Sequence, residues 1–225
     1  MTPAPRRISS PAHRTISRVR AMVPTMTVAL AYPPDEPPAD VDHCVRLHGV
    51  SWESFLAVLA ARGESSAVRI TYREGELQLM SPSRSHESIK KTVARLIEAY
   101  AVEEGIDLNG FGSWTLKNKL KKLGAEPDEC YSIGTPGRVP DLAIEVIWTS
   151  GGLDKLDVYR GLGVREVWVW NKGKLAPYVL RGDRYVRAAR SRLLPRLDLG
   201  LVASFVHHPS QLAAVRELQA ALRAR

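Results

Sequence analysis

Apolar positions along the 225-residue chain become periodic only from about Leu47 onward. Gly49-Val50-Ser51 offers a helix start, and Phe55, Val58 and Leu59 recur at helical spacing until Gly63, which predicts a first helix. Val68 to Arg73 and Glu76 to Met80 alternate on either side of Glu74-Gly75 and predict a β-hairpin. After Ser81-Pro82-Ser83, the positions Ile89, Val93, Leu96, Ile97 and Tyr100 mark one apolar stripe of a long helix that ends near Gly105. Residues 107 to 123 read as extended, with Trp114 and Leu116 ahead of four closely spaced lysines.

Farther along, two Pro-Asp pairs, Pro127-Asp128 and Pro140-Asp141, flank a loop containing Gly134 and Pro136. Asp141 to Trp148 is almost wholly apolar, the pattern of a strand covered on both faces, and Glu145 is the acid in its middle. Gly151-Gly152 breaks this strand, and Leu153 to Tyr159 predicts a short helix closed by Gly161 and Gly163. Val167 to Trp170, Leu175 to Leu180 and Arg184 to Arg187 predict strands joined by the turns Asn171-Lys172-Gly173 and Arg181-Gly182-Asp183. A terminal amphipathic helix begins at Ser210. The chain contains no internal repeat.

Composition sharpens this picture. With 44% apolar and 25% charged residues the chain is globular, and predominant disorder is excluded. No stretch approaches the 18 apolar residues of a membrane span, so no membrane partner is expected. Two cysteines, Cys44 and Cys130, make neither a disulfide framework nor a four-thiolate zinc site, which points to a reduced, cytoplasmic setting. The formal charge of +8 suggests a polyanionic partner. Removing Arg6, Arg7, Arg14, Arg18 and Arg20 lowers it to +3, so most of the excess lies in the first twenty residues, within a Pro- and Arg-rich leader, residues 1–41, read as disordered. That leader is either a DNA-binding arm or sequence ahead of a true start at Met22 or Met26; a secretion signal is disfavoured because Pro24, Thr25 and Thr27 interrupt its apolar run. The expected organisation is leader 1–41, folded domain 42–205 and terminal helix 206–225.

A carboxylate inside an apolar strand needs a partner, a metal ion or a basic side chain. Near Glu145 in sequence stand Asp128, Asp141 and Lys155. Two carboxylates and a lysine are the minimal set for metal-assisted phosphodiester hydrolysis: acids hold Mg²⁺ through oxygen, and lysine orients or deprotonates a water. Asp141 and Glu145 share a strand face, but at ~3.3 Å per residue their Cα atoms lie ~13 Å apart, too far to chelate one ion. Asp128 precedes a separate extended segment, Glu129 to Ile133, whose return through the 134–140 loop can bring it beside Glu145. Asp128 is therefore the favoured second acid, with Asp141 a strand-start or supporting residue. In the common Glu-x-Lys arrangement the lysine lies two residues after the acid, but that position is Ile147. Lys155, in the next helix, is the candidate that reaches back.

These residues carry a resemblance. The run Glu126-Pro127-Asp128-Glu129-Cys130-Tyr131, then Pro140-Asp141-Leu142-Ala143-Ile144-Glu145-Val146, Lys155-Leu156-Asp157-Val158-Tyr159 and Gly163-Val164-Arg165-Glu166-Val167-Trp168-Val169-Trp170 resembles the Uma2 family of restriction-endonuclease type. Upstream, Tyr72-Arg73-Glu74-Gly75-Glu76-Leu77, Met80-Ser81-Pro82 and His86 resemble its early hairpin and helix start, so the likeness spans roughly Val50 to Val186. It implies an α/β (α+β) fold with the PD-(D/E)XK nuclease core, a central mixed β-sheet flanked by helices. It also implies Mg²⁺ or Mn²⁺ held by Asp128 and Glu145, a lysine displaced to Lys155, and Glu76 and His86 near the same pocket. Many members carry Ser-Pro-Ser after the Glu-Val pair, where this chain has Ile147-Trp148-Thr149-Ser150-Gly151-Gly152.

Each signal has a plainer alternative. Glu145 could pair with an internal arginine, Asp128 could be a turn residue, and Lys155 a solvated helix lysine. His86, after a Ser85 cap, could be solvated, and Glu76 a surface strand residue. Lys117, Lys119, Lys121 and Lys122 fit a solvated strand face or a track for DNA phosphates equally well. The leading expectation is a divalent-metal-dependent DNA endonuclease. The alternatives are a catalytically inactive nuclease-fold module that binds nucleic acid or regulates, and an interaction module forming a homodimer through the apolar strands or the terminal helix.

Overall fold

Two helix-covered sheets are built from the periodic segments. The computed structural model describes residues 40–147 and 154–224, so the expectations placed on residues 1–39, on Trp148 and on Gly151-Gly152 lie outside the described residues. The first sheet contains β1 (His43–Leu47), β2 (Arg69–Arg73), β3 (Glu76–Ser81), β5 (Leu116–Asn118) and β6 (Leu123–Ala125), in the order β1-β3-β2-β6-β5 with every pair antiparallel. Its hairpin turns at Glu74 and Gly75, both at positive φ, 49° and 99°. Helix α1 (Trp52–Arg62) starts where the Ser51 side chain accepts from Ser54 N–H at 3.0 Å. It lays Trp52 and Phe55 against Ile70, Tyr72 and Leu77 of the sheet.

The second sheet is the expected mixed one. It contains β4 (Leu108–Gly110), β7 (Glu129–Ile133), β8 (Leu142–Ile147), β9 (Glu166–Asn171), β10 (Lys174–Arg181) and β11 (Arg184–Arg187), in the order β11-β10-β9-β8-β7-β4. Only β8 and β9 run parallel among these pairs, and α3 (Lys155–Leu162) lies between them in sequence. Gly163 closes α3 in the left-handed region, φ 88°, a conformation that suits glycine.

Strand β8 is apolar on both faces because both are covered. Leu142, Ile144 and Val146 pack with α2 (Arg84–Glu103), α4 (Leu199–Phe205) and α5 (Gln211–Arg223), while Ala143 packs on the opposite face with Val158, Tyr159 and Leu162 of α3. Glu145 shares the face of Ala143 by strand alternation and so points toward α3. Of the predicted helices, α2 buries the stripe Ile89, Val93, Leu96, Ile97 and Tyr100, and α5 buries Ala214, Leu218 and Leu222 in the same core. No helix among the described residues is long and apolar enough to cross a membrane.

Three local expectations are corrected. Residues 107 to 123 are not one extended stretch but two three-residue strands, β4 and β5, and a turn. Lys119 to Lys122 lie in that turn, where Lys122 takes φ 50° and Lys121 N–H donates to Asn118 Oδ1, so they do not form an alternating strand face. The cap of α2 is Ser83, not Ser85, which turns His86 inward. The strand β1 and helix α4 carried too little periodicity to be predicted: β1 is exposed along its whole length, and α4 has seven residues.

Candidate active site

Strand β7 pairs with β8 in the register Glu129 to Ile144, so the next antiparallel position sets Asp128 beside Glu145. The junction is closed by Val146 N–H, which donates to Asp128 Oδ2 at 2.9 Å. Helix α3 then supplies two donors from one face. Lys155 Nζ donates to Glu145 Oε2 at 2.7 Å, and Tyr159, one turn later, donates its hydroxyl to Oε1. Both oxygens of Glu145 are thus held by α3. The start of that helix is fixed by Asp154, whose Oδ1 accepts from Leu156 N–H.

Two basic side chains face Asp128. His86, fully buried, places Nε2 at 3.0 Å from Asp128 Oδ2, close enough for an ion pair but outside hydrogen-bond geometry. Its other ring nitrogen, Nδ1, is hydrogen-bonded to Asp42 Oδ2 at 3.0 Å. Arg69 Nε lies 3.9 Å from Asp128 Oδ1, and the same guanidinium contacts Glu87 at 3.2 Å. Asp128 Oδ1 itself is buried and has no hydrogen-bond partner.

Other buried acids show why this orphan matters. Glu126 accepts from Arg62, Thr115 and the Ile70 N–H, and Glu166 accepts from Trp168 Nε1 and the amides of Arg192 and Leu193. These two carboxylates are satisfied structural groups, as buried polar groups usually are. Burial alone therefore does not single out Asp128; the unbonded oxygen does.

Electrostatics separate the two central acids. Burial pushes Glu145 up to about 7, with Asp128 adding to the rise and Lys155 opposing it. Asp128 is held well below the usual carboxylate range, because Lys155, His86 and the Val146 amide outweigh its burial. Burial works against charge on Lys155, yet Glu145 and Asp128 prevail and hold its ammonium above the ordinary lysine value. His86 is raised to about 9, its burial overcome by Asp128 and Asp42. Burial and Glu145 push the Tyr159 hydroxyl well above its ordinary value, so it stays a donor.

The structure thus brings Asp128, Glu145, Lys155 and His86 together. It does not bring Glu76 or Asp141 to them. Glu76 contacts His48 at 3.4 Å and Arg73 at 3.3 Å on the hairpin. Asp141 closes the β7–β8 return, with Oδ2 accepting from Ile133 N–H and Oδ1 from Arg165. Lys117, Lys119 and Lys122 stay on the β5–β6 hairpin, and Lys121 donates to Gly161 O of α3 at 2.9 Å. Sequence reasoning missed three participants. Tyr159 was signalled by its four-residue spacing from Lys155, Arg69 by a charge inside an apolar strand, and Asp42 by nothing local. Among the described residues no group of three or more His, Cys, Asp and Glu side chains is arranged to hold a metal ion.

Comparison with known proteins bears on residues 52–205, which match the model of the Uma2 family, described as "Putative restriction endonuclease". A crystal structure from Anabaena variabilis, of "a putative nuclease belonging to DUF820", is similar at 16% identity and TM-score 0.45 over 75% of this chain and 99% of that one. No curated protein matches the chain.

Proposed function

The chain belongs to the Uma2 family, and on that footing we propose that it is a divalent-metal-dependent endonuclease that hydrolyses phosphodiester bonds of DNA. The observation that carries the reading is the meeting of Asp128, Glu145 and Lys155 where β7, β8 and α3 join, with one buried carboxylate oxygen left unbonded. Oxygen donors on two adjacent strands fit a hard cation that takes the rest of its shell from water and phosphate. Asp128 and Glu145 would hold Mg²⁺ or Mn²⁺, which when bound neutralises phosphate charge and acidifies water.

The side chains divide the remaining work. Lys155 is held as an ammonium, so it orients water or phosphate as a donor rather than removing a proton. Tyr159 fixes the Glu145 carboxylate from the opposite oxygen. The lysines at 117, 119, 121 and 122 would meet the DNA backbone, and Lys121 ties their hairpin to α3.

The test is cleavage of supercoiled plasmid by the purified chain. Nicking or cutting is expected with Mg²⁺ or Mn²⁺ and is lost with EDTA or in Glu145→Ala. Equal cleavage by wild type and variant overturns the assignment.

A second reading, a non-catalytic nucleic-acid-binding or regulatory module, is favoured by one observation: both Glu145 oxygens already accept from Lys155 and Tyr159. Calorimetry separates the two. No Mn²⁺ binding, together with salt-sensitive DNA binding that survives Glu145→Ala, supports the module.

A further inference from the structure

Asp42 stands ten residues ahead of the stretch that matches the family, yet it reaches the centre of the site. Its two oxygens are divided. Oδ1 accepts from Ser83 N–H at 2.8 Å, at the cap of α2, and Oδ2 meets His86 Nδ1 at 3.0 Å. The far side of the same imidazole faces Asp128 Oδ2 at 3.0 Å. That oxygen also receives the Val146 N–H, so among the described residues the hydrogen bond and the closer ion pair of the Asp128 carboxylate fall on Oδ2, while Oδ1 has no hydrogen bond and meets Arg69 at 3.9 Å.

A carboxylate pivots about its Cβ–Cγ bond unless contacts choose an orientation. Here an imidazole clamped between two carboxylates supplies one contact and a strand amide the other. We propose that Asp42, acting through His86, is a positioning residue for Asp128, fixing Oδ2 so that Oδ1 remains the unbonded donor. This deepens the metal-dependent reading above and rests on it for what Oδ1 is there to bind. In sites of this kind, partners that orient a ligating group typically contribute 10- to 100-fold in metal affinity.

Neighbouring Asp40 supplies an internal control. It accepts from Ser85 N–H at 3.0 Å and from the Ser85 hydroxyl, at the same end of α2, whereas the hydrogen bond to His86 Nδ1 is made by Asp42. Loss of a cap at this helix end is therefore separable from loss of the His86 contact. Asparagine at 42 keeps an acceptor for the Ser83 amide while removing the charge facing His86.

The experiment uses the full chain with two readouts, and thermal melts confirm folding. In the metal-free protein, hydrogen exchange at the Val146 amide is compared between wild type, Asp42→Asn and Asp40→Asn, with Ile144 as the reference. In parallel, Mn²⁺ alone is titrated by calorimetry. Asp42→Asn is expected to speed Val146 exchange and weaken Mn²⁺ by about 10- to 100-fold, whereas Asp40→Asn changes neither. His86→Gln, which retains an amide donor, should recover more of both than His86→Leu. Where DNA is cut, Asp42→Asn should lower kcat with KM for DNA unchanged.

Unaltered Val146 exchange in Asp42→Asn overturns the inference, whatever the metal does. Faster exchange in a wild-type background that binds no Mn²⁺ instead sustains the positioning role and removes the metal-dependent function. Should Asp42→Asn not fold, His86→Gln against His86→Leu decides the matter by the same two readouts.

Discussion

Replacing Lys155 with methionine keeps an unbranched apolar stem as long as that of lysine and removes the ammonium that meets Glu145 Oε2 at 2.7 Å. The side chains of Lys155 and Glu145 are only 15% and 8% exposed, so solvent does not take over the lost contact. Removing one partner of a buried pair costs about 3–5 kcal/mol. Tyr159 still donates to Oε1, and Glu145 can take up a proton, so the low end, about 3 kcal/mol, is expected at pH 8.

The sign follows from proton uptake. Burial already raises Glu145 from 4.5 to about 7, and Lys155 is the strongest influence holding it down. Without Lys155 the native carboxyl titrates higher still, while the unfolded one keeps its ordinary value. The native state then binds a proton that the unfolded chain does not, so stability falls as pH rises through the raised value. The wild type carries the same slope between about 4.5 and about 7. The penalty of Lys155→Met should therefore be larger at pH 8 than at pH 5.5. Guanidinium unfolding without divalent cation measures it, and for a domain of this size about 3 kcal/mol corresponds to roughly 6–12 °C in Tm. Adding Glu145→Gln to Lys155→Met should restore most of the loss, because neither buried charge remains. A penalty below about 0.5 kcal/mol at pH 8, or one equal at both pH values, refutes the account of Glu145 as a buried carboxylate held by Lys155.

Three further outcomes are expected. His86, raised from 6.5 to about 9, contributes stability that is complete below about pH 6.5 and disappears as pH rises through 9; at 1.36 kcal/mol per pKa unit this is up to about 3 kcal/mol, and His86→Gln should flatten that part of the denaturation profile. Gly124→Ala places a Cβ 2.5 Å from Phe55 Cζ, and Phe55 is buried and stacked on Tyr72 at 4.7 Å, so calorimetric melting should show a loss of about 1–3 kcal/mol. A thiol reagent should label one cysteine of the native chain, exposed Cys44, because Cys130 is buried, donates to Gly112 O and has its thiol pushed up to about 12; two rapidly labelled thiols in the folded protein would contradict this burial.

The legible parts of the molecule are those with repetition. The stripe of α2, the hairpin about Glu74-Gly75 and the doubly covered β8 follow from period and turn chemistry, and the meeting of Asp128 with Glu145 follows from the return of β7 onto β8. The illegible parts depend on choices between similar residues or on distant contacts. Ser83 and Ser85 both serve as caps on paper, and only packing decides that Ser83 does, which moves His86 from solvent to the interior. Lys122 enters the positive-φ region without being glycine, so the β5–β6 turn escaped a search for Gly and Pro. Asp42 borders a Pro-rich segment and acquires meaning only from His86, 44 residues away.

That distance has a kinetic consequence. The contacts that assemble the site join residues 42 with 86, 86 with 128, 128 with 146 and 145 with 155, drawn from the starts of β1 and β7, from β8 and from two helices. Long sequence separations delay such contacts, because loop closure is entropically unfavourable before any contact rewards it. The β7–β8 return can set Asp128 beside Glu145 early, but the His86 contact and its tie to Asp42, 44 residues from His86, wait for distant segments to come together. The complete arrangement, with His86 and Asp42 behind Asp128, is therefore expected to form late in folding.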